Sequence, residues 1–230
     1  MKKKLDLKDI VLIGRTFDEY CRMFDLFALD LAKENILDVA SGVSSFCAEA
    51  TSRGYTVTAS DKIYDFNAEE IEQMCIRDLA NVFEQMPGVI DMYSWEYFKD
   101  ITDWKRNREK AYTLFIRDIR AKGNDKYIYA DYPDSDFADN EFTRSLVSHF
   151  LFVYDEYLDY DFHKETIQEL IRITSDEIRI FPIINLEGQR SSFVNELLND
   201  FDFRDYDIRI TKVDYEFVKN GNEMLSIRMP

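Results

Sequence analysis

Two aspartates at the ends of apolar runs are the first residues in this 230-residue chain whose type and spacing suggest chemistry. Asp38 lies in the run that begins the stretch ILDVASGVSSFCAEATSRGYTVTASD, residues 36–61, and Asp61 ends that stretch. Between them, small residues surround Gly42 and a helix-like segment follows. A strand, a tight turn, a helix and a second strand with a terminal acidic residue are typical of a nucleotide-cofactor site.

The turn around Gly42 departs from the glycine-rich signature of such sites, G-x-G-x-x-G. Ala40 and either Ser44 or Ser45 occupy the neighbouring positions here. A turn of small residues still lets the backbone approach a ligand closely. Because short motifs often match by chance, a generic strand-to-helix turn is an alternative, and Asp61 by itself would also fit an NAD-dependent oxidoreductase.

The strands and helices that could position these residues alternate along the chain. A capping box of Thr16 and Glu19 predicts a helix that ends near Asn35. Apolar runs predict strands at 36–40, 55–59, 127–130, 145–151 and 177–184, and helical patterns predict helices at 43–53, 103–120, 162–173 and 192–201. The strands that alternate with helices are expected to be parallel, with right-handed crossovers.

Two further strands, about 206–217 and 223–229, are predicted at the end of the chain, joined near the sequence KNGN. Asn220-Gly221 is a strong hairpin signal because both residues tolerate positive φ angles. The sequence therefore predicts an α/β fold in which an antiparallel hairpin closes an otherwise parallel sheet.

Residues 66–122 interrupt the alternation and are predicted to form a helical insertion within a single domain, 1–230. Since the insertion leaves the second strand at its ligand-facing end, we expect it to cap the site. The insertion carries the aromatic residues Trp95, Tyr97, Phe98 and Trp104. Their side chains could form a small core of the insertion or face a substrate. Arg106, Arg108 and Lys110 are expected on a solvated face of the predicted helix. From there their positive charges could also reach an acidic substrate.

Composition restricts the partners that the protein can have. The net charge of −16 repels phosphate backbones, so no bulk binding of DNA or RNA is expected. No apolar run suggests a membrane span or a signal peptide. The three cysteines form no CxxC pair and are expected to be reduced and buried, which predicts a cytoplasmic protein. Two histidines, His149 and His163, are too few for a usual His-rich metal site, and no metal is expected.

Five segments resemble a family of small bacterial methyltransferases within class I of the S-adenosylmethionine (SAM)-dependent enzymes: EYCRMFDL, ILDVASGVSSFCAEATSRGYTVTASDKIY, SHFLFVYDEYLDYDFHKETIQELIRI, EIRIFPI and YEFVKNGNEML. Together they span most of residues 19–227. The resemblance implies a Rossmann-like sheet of seven strands in the order 3-2-1-4-5-7-6, with the last strand antiparallel and helices on both faces. The ending DYEFVKNGNEMLSIR discriminates most, because a plain dinucleotide-binding fold ends in a parallel strand.

The resemblance also implies SAM as the cofactor and S-adenosylhomocysteine (SAH) as its product. Asp38 would meet the ammonium of the methionine moiety, directly or through water. Asp61 would accept from the ribose hydroxyls, and backbone N–H groups at the start of the next helix would take the carboxylate. Asp131 would contact the adenine edge, although a turn aspartate before Pro133 is an alternative. The full set of expected cofactor contacts is Asp38, Ala40, Ser41, Gly42, Ser45, Phe46, Asp61, Lys62, Asp131, Tyr132, His149 and Phe150.

His149 and Tyr154 are the candidate catalytic residues. His149 could act as a base or a hydrogen-bond donor to the substrate because its ordinary pKa is close to neutral, and a structural histidine is the alternative. Since the sulfonium of SAM is already a good leaving group, positioning and desolvation supply much of the catalysis. We expect methyl transfer to a small-molecule acceptor of unidentified structure; the alternative is an inactive SAM- or SAH-binding protein or interaction protein. The oligomeric state stays open.

Overall fold

The computed structural model describes residues 4–5 and 10–230, which fold into strands and helices. The strands are β1 Asn35–Val39, β2 Thr56–Ser60, β3 Tyr127–Ile128, β4 Phe142–Ser148, β5 Thr174–Phe181, β6 Asp207–Lys212 and β7 Glu223–Arg228. The α-helices are α1 Phe17–Met23, α2 Phe46–Ser52, α3 Ala68–Gln85, α4 Ile101–Lys122, α5 Tyr160–Ile173 and α6 Ser192–Asn199.

All the strands join one sheet in the order β3-β2-β1-β4-β5-β7-β6. Strands β1 to β5 pair in parallel, and β7 is antiparallel to both β5 and β6. This order confirms the predicted sheet and its antiparallel last strand. Val39 is in register with Ser60 on one side and Val147 on the other, so β1, β2 and β4 end at the same edge.

Helices cover both faces of the sheet because alternate residues of the strands point to opposite sides. On β1, Ile36 belongs to a core cluster that includes Phe46 of α2 and Phe115 of α4. Leu37 and Val39 belong to a second cluster, which takes in residues of α5 and α6. Asp38 therefore shares the face of Ile36, beneath α1 and α2.

Helix α1 begins as predicted, at a Thr16–Glu19 capping box, but the predicted end near Asn35 is wrong. The helix ends at Met23, and Asp25 adopts a left-handed φ of +48°. The carbonyl oxygens of Phe24 and Asp25 accept hydrogen bonds from Arg179 of β5, which replace the bonds of a further helical turn. A partner so distant in the sequence leaves no trace in the local pattern.

Strands β4 and β5 each start and end three residues earlier than predicted, at 142–148 and 174–181 instead of 145–151 and 177–184. His149 and Phe152 have left-handed φ angles of +54° and +67°, which end the extended chain after Ser148. Leu151 and Phe152 are buried in the following turn, so their apolar character resembled that of a strand. The first strand of the closing hairpin also stops early, at Lys212, and residues 213–222 form its connection.

The insertion contains α3, a 3₁₀ segment at Met86–Met92 and α4, with α3 packed on α4. The prediction of a solvated face for Arg108 is wrong, since this side chain is 1% exposed and pairs with Glu19. Arg106 and Lys110 are exposed as expected. Cys21, Cys47 and Cys75 are buried and free, as predicted. Within residues 4–5 and 10–230, no helix has the length and apolar character needed to cross a membrane.

Candidate functional site

A cavity of about 460 Å³ lies at the edge where the parallel strands end. The segments that follow β1 to β5 all contribute to its wall. The segment before α1, helix α3 and the connection before β7 also contribute. Ten predicted site residues line it: Ala40, Ser41, Gly42, Asp61, Lys62, Asp131, Tyr132, His149, Phe150 and Tyr154.

The turn after β1 holds its shape by hydrogen bonds to the end of β2. Ala40 and Gly42 have left-handed φ angles of +46° and +55°. The Ser41 amide donates to the carbonyl oxygen of Ser60 at 3.0 Å, and the Gly42 amide donates to Oδ2 of Asp61 at 2.8 Å. A Cβ at Gly42 would meet no atom within 4 Å, so the space beside the backbone of this residue is empty and a ligand can approach it.

Asp61 is fixed by the same turn. Its Oδ1 accepts from the Ile63 amide at 3.0 Å, while Oδ2 accepts from Gly42. Burial raises the pKa of Asp61, and the hydrogen bonds from the two amides act in the opposite direction. A carboxylate has four lone pairs in the plane of its oxygens, so Asp61 retains acceptor capacity toward a ligand hydroxyl. Lys62 is exposed beside it.

Tyr64 supports the turn from below and was missed in the sequence. Its hydroxyl donates to the carbonyl oxygen of Gly42 at 2.9 Å and lies 2.6 Å from Oγ of Ser41. The only available signal was a phenol three residues after Asp61, in the sequence DKIY. Such a position does not by itself distinguish a buttress from a core aromatic residue.

Asp38 lies behind the turn and does not line the cavity. Its Oδ1 accepts from the Tyr20 hydroxyl at 2.8 Å, and within the described chain its buried Oδ2 has no hydrogen-bond partner. Burial raises the pKa of Asp38 well above its usual range. The structure thus brings Asp38 close to the turn but gives it no direct path to a ligand ammonium.

Ser45 and Phe46 are also fully buried and stand apart from the cavity. The Ser45 amide donates to the carbonyl oxygen of Arg15 at 2.9 Å, and the Phe46 amide donates to Oγ of Ser44 at 3.0 Å. The Ser44 amide donates to the Ser41 carbonyl at 3.1 Å. The amides of Ser44, Ser45 and Phe46, which were among the donors expected to take a carboxylate, therefore already have partners.

The ends of β3 and β4 form the opposite wall. The Tyr132 hydroxyl lies 2.7 Å from Oγ of Ser60, and the exposed Asp131 lies at the mouth. Nδ1 of His149 is 3.0 Å from Oγ of Ser148. Burial and the charges of Arg15 and Arg108 lower the pKa of His149 well below its usual range, so His149 is neutral at neutral pH.

In the other part of the cavity wall, Arg15 and Asp78 were not among the residues predicted from sequence. Arg15 precedes α1, and Asp78 on α3 accepts from the Leu12 amide at 3.1 Å. Of the four aromatic residues predicted to face a substrate or form a small core, Trp104 lines the cavity, and Tyr93, which was not predicted, lines it too. Trp95, Tyr97 and Phe98 instead pack against the connection 213–222, through ring contacts with Phe217 and Tyr215.

Comparisons with known proteins give a relative in an archaeon. The chain is 51% identical over 225 residues to uncharacterized protein MJ0045 of Methanocaldococcus jannaschii, with 97% of this chain and 98% of the relative covered. This relative is archaeal, so it does not support the expectation of a bacterial family. No family model matches the chain.

Solved structures with a similar arrangement include a SAM-dependent methyltransferase from Methanosarcina mazei, with 14% identity, a TM-score of 0.44 and coverage of 89% of this chain and 94% of that one. A SAM-dependent methyltransferase from Aquifex aeolicus has 12% identity, a TM-score of 0.43 and coverage of 89% and 85%. The methyltransferase domain of bacterial CtHen1 has 12% identity, a TM-score of 0.48 and coverage of 93% and 100%. At these TM-scores the likeness adds no weight to a functional assignment.

Proposed function

This chain belongs to the family of the Methanocaldococcus jannaschii protein, and we propose that it is a methyltransferase that uses SAM as its methyl donor. The observation that carries the proposal is that the accessible backbone of Gly42 and the carboxylate of Asp61 line the same cavity. The cavity lies at the carboxyl edge of a sheet in the order β3-β2-β1-β4-β5-β7-β6. In open α/β sheets, ligands bind at this edge.

The residues present fit such a cofactor. Gly42 leaves room for the ligand against the turn, and Asp61 offers a carboxylate to the ribose hydroxyls. Tyr132 and Phe150 offer aromatic surface for the base between the ends of β3 and β4. When bound, SAM supplies a methyl group on a positively charged sulfur, which is already activated for transfer.

The chain's own residues then act mainly by positioning and by excluding water. Apolar side chains line the part of the cavity near α3 and the segment before α1: Val11, Leu12, Met74, Val82, Met92 and Trp104. His149 stays neutral, and in the tautomer that donates from Nδ1 to Oγ of Ser148 its Nε2 can accept a proton. A low pKa makes His149 a weak base, which suits an acceptor that is itself nucleophilic.

We further propose that the acceptor is a small and mostly apolar molecule. Cofactor and acceptor would share one cavity of about 460 Å³, within the roughly 300–1,000 Å³ that is usual for small-molecule sites, which leaves room for a small acceptor only. The net charge of −16 opposes a long phosphate backbone at its mouth.

Calorimetric titration with SAM, SAH and NAD tests the cofactor. We expect SAH to bind and NAD not to bind; binding of NAD alone would favour an oxidoreductase instead. Asp61→Ala should weaken the binding free energy of SAH by about 1.5–3 kcal/mol, which is the range for hydrogen bonds to a charged group. Asp65→Ala removes an exposed carboxylate in the same segment and serves as the control. A methyl-transfer screen over candidate acceptors then separates an enzyme from an inactive binding protein.

A further inference from the structure

Arg15 is held at the cavity by its main chain. Its carbonyl oxygen accepts from the Ser45 amide at 2.9 Å and from Oγ of Ser44 at 3.0 Å. These two residues belong to the loop between β1 and α2, so Arg15 is fixed to the turn that carries Gly42. Its side chain lines the same cavity as Gly42 and His149. The guanidinium is thus placed in advance at the site where a cofactor would bind.

Arg15 has no carboxylate in direct contact within the described chain. Its guanidinium donates to the Ile13 carbonyl oxygen, and no ion pair involving it occurs among residues 4–5 and 10–230. The neighbouring Arg108 differs, because Glu19 lies 2.5 Å from it and compensates its charge. Burial and the charge of Arg108 lower the pKa of Arg15, while the charge of Glu19 acts in the opposite direction.

The amino-acid end of SAM or SAH carries a carboxylate that needs hydrogen-bond donors. Most amides of the loop do not supply them, because those of Ser41, Gly42, Ser44, Ser45 and Phe46 all donate to protein oxygens; within the described stretch 41–46 this leaves the Val43 amide, a single donor. A guanidinium provides a planar fork of donors that matches a carboxylate in bidentate geometry.

We propose that Arg15 binds the carboxylate of the cofactor's amino-acid moiety and is the group that distinguishes SAM and SAH from ligands without it. The proposal rests on the proposed function and adds to it the residue that selects the amino-acid end. It assigns to a side chain before α1 the task that sequence analysis gave to backbone amides.

The test compares SAH with its decarboxylated analogue, 5′-deoxy-5′-(3-aminopropylthio)adenosine, which keeps the nucleoside and the amine and lacks the carboxylate. Calorimetric titrations are made with the wild-type protein, Arg15→Gln and Arg15→Lys. We expect the wild type to prefer SAH over the analogue by about ten- to hundredfold, as for a charge-assisted bidentate pair. Arg15→Gln should abolish that preference and leave affinity for the analogue unchanged. Arg15→Lys should keep part of the preference, because it keeps the charge and loses the fork.

Arg22→Gln is the control for net charge, since Arg22 pairs with Asp18 and Asp214 away from the cavity. This variant should retain the wild-type preference. Unchanged affinity of Arg15→Gln for the analogue also shows that the variant is folded. If the wild type prefers SAH and Arg15→Gln prefers it equally, the assignment of Arg15 is overturned while the cofactor stands. If the wild type binds neither ligand, the proposed function itself fails.

Discussion

Gly42 is the residue at which backbone conformation and ligand space coincide. Its φ of +55° disfavours a β-branched residue, and a Cβ there would point into space free of atoms within 4 Å. Gly42→Val should therefore leave the fold intact by circular dichroism and abolish SAH binding in calorimetry. Gly54→Val is a matched control because Gly54 also has a left-handed φ, +88°, and open space at its Cβ, but lies outside the cavity. Equal loss of binding in both variants would point to backbone strain instead of blocked ligand space.

His149 should leave a signature in the pH dependence of stability. Its pKa in the folded protein lies below the ordinary value of 6.5, because of burial and the charges of Arg15 and Arg108. Below that pH, the unfolded chain binds the proton more readily, so the free energy of unfolding decreases as pH falls through about 6.5. His149→Asn, with a residue that tolerates the φ of +54°, should lose less stability between about pH 7.5 and pH 5 in urea denaturation. His163, whose pKa is also lowered by burial, remains in both proteins. Identical pH profiles would show that His149 can take up a proton in the folded state.

At the scale of elements, Glu19 joins three distant parts of the chain. It closes the capping box of α1 with Thr16, pairs with Arg108 of α4 and accepts from the Tyr215 hydroxyl at 2.7 Å. Burial acts to raise the pKa of Glu19, but the charges of Arg108 and Arg15 and the hydrogen bonds lower it overall. The ionised pair therefore contributes stability near neutral pH, and that contribution is lost as pH falls through the lowered pKa of Glu19.

Arg108→Met should destabilise the protein by about 3–5 kcal/mol at neutral pH, because it leaves the buried charge of Glu19 uncompensated. Chemical denaturation measures this difference. Arg106→Met, on the exposed face of α4, should change stability by no more than about 0.5 kcal/mol. The cost of Arg108→Met should shrink in the double variant with Glu19→Gln, since the unpaired charge is then absent. An equally large cost in the double variant would assign the effect to lost packing.

How much the sequence reveals depends on how local the determinants are. The capping box located the start of α1, and the strand pattern with the Asn220-Gly221 signal predicted an antiparallel hairpin at the end of the sheet. The order of the strands was predicted from the family resemblance and not from the pattern. The end of α1 depends on Arg179, 155 residues from Phe24, and no local pattern predicts it. For the same reason, the sequence predicted the part of Glu19 in the capping box but not its contacts with Arg108 and Tyr215, which lie far along the chain.

At the scale of the whole molecule, the candidate site has two halves of different origin. The turn after β1 and Asp61 follow from strand ends and could be predicted, since parallel strands end at one edge. The other half comes from the segment before α1, the insertion and the connection 213–222. Hydrogen bonds join these three parts. The Leu12 amide donates to Asp78 at 3.1 Å. The Ser94 amide donates to the Phe217 carbonyl at 2.8 Å, and the Lys219 amide donates to the Met92 carbonyl at 2.9 Å. Their pairing depends on tertiary contacts that no motif encodes.

If the insertion caps the bound cofactor, ligand binding should reduce the local opening of the segment before α1, the insertion and the connection 213–222, as well as that of the turn after β1. We therefore expect saturating SAH to slow hydrogen exchange at the amides of Leu12, Ser94 and Lys219, because opening these bonds would expose the ligand. Edge strand β6, residues 207–212, contributes nothing to the cavity wall and should exchange at an unchanged rate. The Gly42→Val protein with added SAH is the control for effects unrelated to binding. Protection confined to residues 40–46 and 61–64 would contradict the cap, and the acceptor would then have to be held by the turn after β4 around His149 and Phe150.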